Sequence, residues 1–294
     1  MQGEVEAEQA KLKDVQKQLK QPLGPRALGG RFPWFGLEIS NNINDNHMHQ
    51  AIFTALHHGV RHFHFYLSYP DKPSMAGARS ALTLRIMTLF RTLMFLRDSE
   101  HFSLSLRTKP ENEDFFHEVY RTLRMYSFKL KYWLLDIRGL TDKEIVDGWS
   151  RMAQMKDFGQ VENLGLFGGG QKEFDLIGNL DYNTAPVSVH AMEIYPMMEI
   201  YHGKAKYMLK LRKLKVAVCA YNIFGPPGKS LVDQPEVLTF ALQYNVDPLL
   251  FFVKWAREMG FAVLDTFVPE KWNRISFAYG FGTAYSSRDD LRTP

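Results

Sequence analysis

The residues best equipped for chemistry lie in three short runs. Residues 60–70 read Val-Arg-His-Phe-His-Phe-Tyr-Leu-Ser-Tyr-Pro and bring His62, His64, Tyr66 and Tyr69 close together. Ser103-Leu104-Ser105-Leu106-Arg107-Thr108-Lys109 supplies two cations, and Tyr132-Trp133-Leu134-Leu135-Asp136-Ile137-Arg138 supplies a carboxylate and a further cation. In an extended chain successive side chains point to opposite faces. His62, His64 and Tyr66 therefore share one face of the first run, with Phe63, Phe65 and Leu67 on the other. The same alternation presents Arg107, with Lys109 the fallback if the register slips. Arginine keeps its proton at any working pH and offers a planar fork of donors. If His64, Arg107 and Arg138 meet inside a core, their charge needs neutralising, because unpaired buried charge is very unfavourable. Pairing of Arg107 or Arg138 with Asp136 or Glu193, giving a filled polar core, is the expectation. The other outcome is an anion-binding pocket built from the two arginines and Tyr69.

Strands with helices between them must position these runs. From Trp34 onward, short apolar runs alternate with longer segments of 3.6-residue periodicity, the pattern of strand–helix units around a parallel sheet. Phe35-Gly36-Leu37-Glu38-Ile39 is a first strand, followed by a helix with Met48, Ala51, Ile52, Ala55 and Leu56 on one face and Gly59 at its end. Further strands are expected at 61–67, 102–107, 132–138, 162–166, 186–193, 215–221 and 261–266. Eight strands favour closure into a barrel, with any site at their C-terminal ends. Gly168-Gly169-Gly170 fits neither a P-loop nor a dinucleotide fingerprint.

A chain of 294 residues, 45% apolar and 23% charged, suits one barrel, which typically needs about 250 residues, plus a short appendage. Residues 1–30 are expected to be a helical extension and linker, with Val5, Leu12, Val15 and Leu19 at helical spacing and glycines and Pro25 breaking the helix. Residues 31–294 form the barrel. The net charge of +4 is spread out and carries no nucleic-acid signal. Cys219 is the only cysteine, which excludes an internal disulfide and fits a reducing compartment. No apolar run reaches the roughly 18 residues of a membrane span. The N-terminal residues lack a signal core, and their acids argue against a transit peptide. The expected setting is intracellular, soluble or complex-bound.

Several runs together resemble the aldo-keto reductases, over residues 35 to 281. Residues 60–70 resemble a family segment in which an aspartate and a tyrosine follow an arginine–histidine pair; Tyr69 stands at the tyrosine and His64 at the aspartate. Phe158-Gly159-Gln160-Val161-Glu162-Asn163-Leu164-Gly165-Leu166, Met192-Glu193-Ile194-Tyr195-Pro196 and Val218-Cys219-Ala220-Tyr221-Asn222-Ile223-Phe224-Gly225 resemble further landmarks in order and spacing. The resemblance implies a (β/α)8 barrel and a site in which a tyrosine donates a proton to a carbonyl, helped by a lysine, an aspartate and a histidine, while a nicotinamide cofactor supplies hydride. It puts Arg107 at the lysine position and Arg138 at the histidine position. The cofactor's amide grips fall on Phe167, Gly168 and Ala191, and its stacking ring on Tyr221. The extra-phosphate contacts fall on Asp265 and Thr266, where the family uses lysine–serine, and on Lys271, which stands in for an arginine. A carboxylate at Asp265 would repel a phosphate. The chain stops at Pro294, so a shortened loop over the substrate pocket is also expected.

The function expected from these replacements is a catalytically inactive aldo-keto-reductase-like protein, a pseudo-enzyme serving as a structural or interaction subunit of a larger complex. Its partners would be other protein subunits, with residues 1–22 as one contact, and no cofactor is expected. The alternative is a divergent NAD(P)-dependent oxidoreductase that reduces carbonyls with Tyr69 as proton donor and Arg107 or Lys109 in support, which would use NADP. A third reading is a regulatory module that binds a cofactor or anion without turnover. An interaction subunit needs exposed apolar surface, for which Trp149, Met152 and Met155, and residues 195–201, are candidates.

Overall fold

A computed structural model describes residues 26–27, 30–31, 35–39, 45–57, 60–67, 103–110, 113–180, 185–196, 201–226 and 228–266. Residues 1–22, Tyr69 and Lys271 lie outside the described residues. A two-residue antiparallel pair, β1 (Arg26–Ala27) and β2 (Gly30–Arg31), precedes the barrel. Eight parallel strands then close on themselves in chain order: β3 (Phe35–Ile39), β4 (His62–Leu67), β5 (Ser103–Thr108), β6 (Leu130–Asp136), β7 (Val161–Phe167), β8 (Val187–Glu193), β9 (Ala217–Tyr221) and β10 (Ala262–Thr266), the last pairing back onto β3. The described helices fall between them: α1 (Asp45–His57), α2 (Glu113–Met125), α3 (Asp142–Asp157), α4 (Gln171–Gly178), α5 (Tyr201–Lys213), α6 (Pro235–Gln243) and α7 (Pro248–Glu258).

All eight strands expected from the sequence are present, each within two residues of the expected bounds. The largest displacement is in β6, which ends at Asp136 and not at Arg138. The ladder stops there because the chain turns through Gly139, whose φ of 74° suits a residue without a side chain, and the Leu140 amide bonds back to the Ile137 carbonyl at 3.3 Å.

Period-two alternation sorts the strands into an outer and an inner surface. Phe63, Phe65, Leu104, Leu106, Trp133, Leu135, Leu164, Leu166, Met192, Val218 and Val263 belong to the large buried layer shared with the helices, while Tyr132, Leu134, Phe167, Val189, Ala191, Ala217, Cys219, Tyr221, Ala262 and Leu264 form a second cluster inside the barrel. Helix starts are locally encoded. Thr141 caps α3 in a reciprocal box with Glu144, and side-chain capping recurs at α7, where Asp247 accepts from the Leu249 amide at 2.8 Å with Pro248 at the first helical position. In β3, a Cβ on Gly36 would lie 2.6 Å from the His62 ring and 2.7 Å from Leu264; glycine there lets both side chains reach the barrel axis.

Three apolar residues proposed as exposed are core residues instead. Trp149, Met152 and Met155 on α3 are buried against the sheet, because they fall on the one face of an amphipathic helix that a barrel covers. Of residues 195–201, Tyr195 is half-buried, and 197–200 lie outside the described residues. None of the described helices is long and apolar enough to cross a membrane.

Candidate functional site

The inner face of β3 to β6 is polar. At its lower level His62 and His64 share Ser105: His64 Nδ1 lies 2.7 Å and His62 Nε2 3.0 Å from its hydroxyl, and His62 Nδ1 lies 2.7 Å from Ser103. Register explains the grouping, since His62 stands beside Ser103 and His64 beside Ser105 across the β4–β5 ladder. Burial depresses the His62 imidazole to about 3. His64 is held well below the usual histidine range, by burial first and then by the Arg107 and His62 charges. Both rings are therefore neutral at physiological pH.

Above them sit two ion pairs. Arg107, buried and inward as alternation requires, donates from Nη1 to Glu38 Oε2 at 3.0 Å, with its Nε 3.7 Å from Asp136 Oδ2. Arg138, half-exposed just beyond β6, turns back onto the fully buried Asp136 in a forked pair, Nε to Oδ1 at 2.8 Å and Nη2 to Oδ2 at 2.7 Å. Burial raises the Glu38 carboxyl, and the Arg107 charge opposes that rise. The hydrogen bond to Asp136 holds the Arg138 proton more tightly. Two guanidinium charges face two carboxylates, so the group carries no surplus charge with which to draw in an anion.

Across this polar half stands a stack of flat groups. The Arg107 guanidinium carbon lies 4.3 Å from the centre of the Tyr66 ring and 4.0 Å from that of Phe167; Phe167 in turn lies 4.3 Å from Tyr221 with their planes 12° apart. Arg138 approaches the same Phe167 ring at 4.9 Å. Burial raises the Tyr221 phenol to about 12, so it stays protonated. The backbone after Phe167 is anchored. His190 Nε2 donates to the Gly168 carbonyl at 2.7 Å, which leaves His190 Nδ1 to accept from the Tyr207 hydroxyl at 2.7 Å. Gly168 has φ of 81°, and any Cβ there would collide with Arg138.

This barrel matches a solved structure described as an aldo/keto reductase from Brucella melitensis, with a TM-score of 0.65 and 15% identity over 88% of this chain and 94% of that one. The fold is a (β/α)8 barrel of aldo-keto reductase type. At that identity the likeness concerns the fold. No protein-family model matches the sequence, and no curated protein matches it.

Within this aldo-keto reductase-type barrel, His64 and Arg107 point into the interior and Arg138 closes its rim. Lys109 lies exposed past the end of β5, so the fallback register does not apply. Phe167, Ala191 and Tyr221 line the interior. Asp265 is buried but shares its strand phase with Val263, so it faces the helical layer. Thr266 ends β10 beside Glu38 in the ladder. The expected pairing of Arg138 with Asp136 is present. Of the two acids offered as partners it is Asp136 that pairs; Glu193 instead accepts from Asn222 Nδ2 at 3.0 Å, and Glu38 is the acid closest to Arg107. Glu38 was legible in principle: Phe35, Leu37 and Ile39 face outward, which turns Glu38 inward as the only acid on that strand.

Proposed function

We propose that this protein is a catalytically inactive aldo-keto-reductase-type barrel that serves as a structural or interaction subunit of a larger assembly. The observation that carries the reading is Phe167 lying flat on Tyr221. Tyr221 is the ring on which the resemblance would stack a nicotinamide, and the protein's own side chain covers it. The residues present do not fit such a cofactor. Phe167, Gly168 and Ala191 offer no side-chain hydrogen bond to an amide, and Arg107 is engaged by Glu38 and Asp136. The regulatory anion-site reading is disfavoured by the balanced charges of the same four groups.

Exposed apolar side chains support the interaction role. On and just after α6, Leu242 is 82% exposed and Tyr244 59%, with Leu238 and Phe240 about half as open as Leu242. Titration with NADPH tests the reading: intrinsic tryptophan fluorescence should stay unchanged at micromolar cofactor, and saturable quenching would overturn it. The native protein should also run in solution at a mass above that of its 34.1 kDa chain with other subunits attached.

The second reading, a divergent NAD(P)-dependent oxidoreductase with Tyr69 as proton donor, is favoured by the reductase whose fold this barrel shares. Saturable NADPH binding together with carbonyl reduction that a Tyr69→Phe change abolishes would establish it.

A further inference from the structure

We infer that the space between Arg107 and Tyr221 is a ring-binding slot that selects a neutral, electron-rich planar ring, and that Phe167 is its built-in occupant. The inference goes beyond the proposed function, because it concerns what the slot recognises and holds whether or not the barrel turns anything over. The slot has two walls of defined chemistry. One is the Arg107 guanidinium, 4.0 Å from the ring centre, and the other is the Tyr221 ring, 4.3 Å away and nearly parallel. A guanidinium attracts the electron-rich face of a ring and repels a ring that is itself cationic. Arg138, 4.9 Å from the same ring, adds to that preference. Offset stacking on a tyrosine accepts most flat rings, so the discrimination comes from the cationic wall.

The walls hold their places without the ring. Arg107 is fixed by Glu38 and by contact with Tyr66, and Tyr221 belongs to β9 with backbone partners on both sides. Phe167 is fixed as well, because its neighbour Gly168 is tied to His190 and no Cβ fits beside Arg138 at that position. The closure is therefore a property of one side chain on an anchored backbone, and shortening that side chain opens the slot without moving the walls. The space left by a buried phenylalanine has room for a small aromatic ring, which here would displace water from the guanidinium face and stack on Tyr221.

The experiment compares the wild type with Phe167→Ala and, as a milder truncation that retains more of the core, Phe167→Val, with folding checked by circular dichroism. Indole and the N-methylnicotinamide cation are titrated against each by calorimetry and by the shift in thermal midpoint. Indole should bind both variants at millimolar concentration or better and bind the wild type at least tenfold more weakly; the cation should bind the variants at least tenfold more weakly than indole. Adding Tyr221→Leu to Phe167→Val should abolish indole binding. A folded variant that takes up neither probe, or that prefers the cation, overturns the inference, as does a wild type that binds indole as well as the variants. Should neither variant fold, indole protection of wild-type Phe167-dependent ring packing is read instead by nuclear magnetic resonance: unchanged Phe167 and Tyr221 ring shifts at saturating indole support a filled slot, and displaced shifts overturn it. NADPH binding by the wild type would sink the proposed function and leave these outcomes standing.

Discussion

The two halves of the barrel interior are built on different principles. Along β8 to β10 the inner face is small and apolar, with Val189, Ala191, Ala217, Cys219, Ala262 and Leu264 all buried. Its stabilisation comes from removing apolar surface from water and from close packing. Along β3 to β6 the inner face carries Glu38, His62, His64, Ser105, Arg107 and Asp136, also buried or nearly so. There, stability depends on each group having a partner, and loss of one partner strands another. Phe167 and Tyr221 stand between the halves, presenting apolar faces to one side and a guanidinium to the other. The lesson is that an interior of this kind holds charge where an opposite charge meets it, from another strand as Glu38 does for Arg107 or from the same strand's exit as Arg138 does for Asp136.

The largest effect should come from breaking the polar half. Glu38→Ala leaves the Arg107 guanidinium buried with only the longer Asp136 contact, and urea unfolding should show a loss of about 4 kcal/mol. A loss under about 1 kcal/mol would mean that the ion pair is solvated and the comparison between halves fails. In the apolar half, Leu264→Ala should lose about 3 kcal/mol through transfer and cavity effects, with no change in the pH dependence of stability.

The pH dependence separates the halves more sharply. His62 is held near 3 in the folded protein against 6.5 for an ordinary imidazole, and His64 is shifted in the same direction. The unfolded chain therefore binds more protons than the folded one below about pH 6.5. Their contribution is complete above that pH and is lost progressively as the pH falls, by about 2 kcal/mol for His62 alone at pH 5. Glu38, raised by burial, works in the opposite sense, one carboxyl against three imidazoles, since burial also lowers His190 on β8 to about 4. Denaturant midpoints that stay constant between pH 7 and pH 5 would contradict this.

The smallest change lies outside both halves. Thr141→Ala removes the α3 cap and should lose about 1 kcal/mol, independent of pH over the same range. It serves as the reference against which the interior effects are read.

Local sequence carried the strands and their facing. Alternation in residues 60–67 and 103–108 showed that His62, His64 and Arg107 share the inner surface, and the order of strand and helix patterns pointed to closure. The landmarks resembling aldo-keto reductases pointed to the same barrel that the solved reductase shares. Partner identity was less legible. Asp136 was within reach of Arg138 because they lie two positions apart. Glu38 lies 69 residues from Arg107, and their meeting depends on how far each strand is staggered along the barrel. The exposed apolar residues were misplaced for a related reason: a methionine and tryptophan stripe reads alike whether a barrel or a partner covers it, and on α3 the barrel does.

By itself the sequence determined the eight strands, which side chains β4, β5 and β6 turn inward, and the presence of more buried cations than a neutral core allows. Those depend on periods of two and 3.6 residues and on charge, all of which are local. The tertiary structure alone decided that Glu38 answers Arg107, that one serine serves two histidines, and that Phe167 lies on Tyr221. Each of these joins strands far apart in the chain, and only barrel closure and shear set the heights at which their side chains meet.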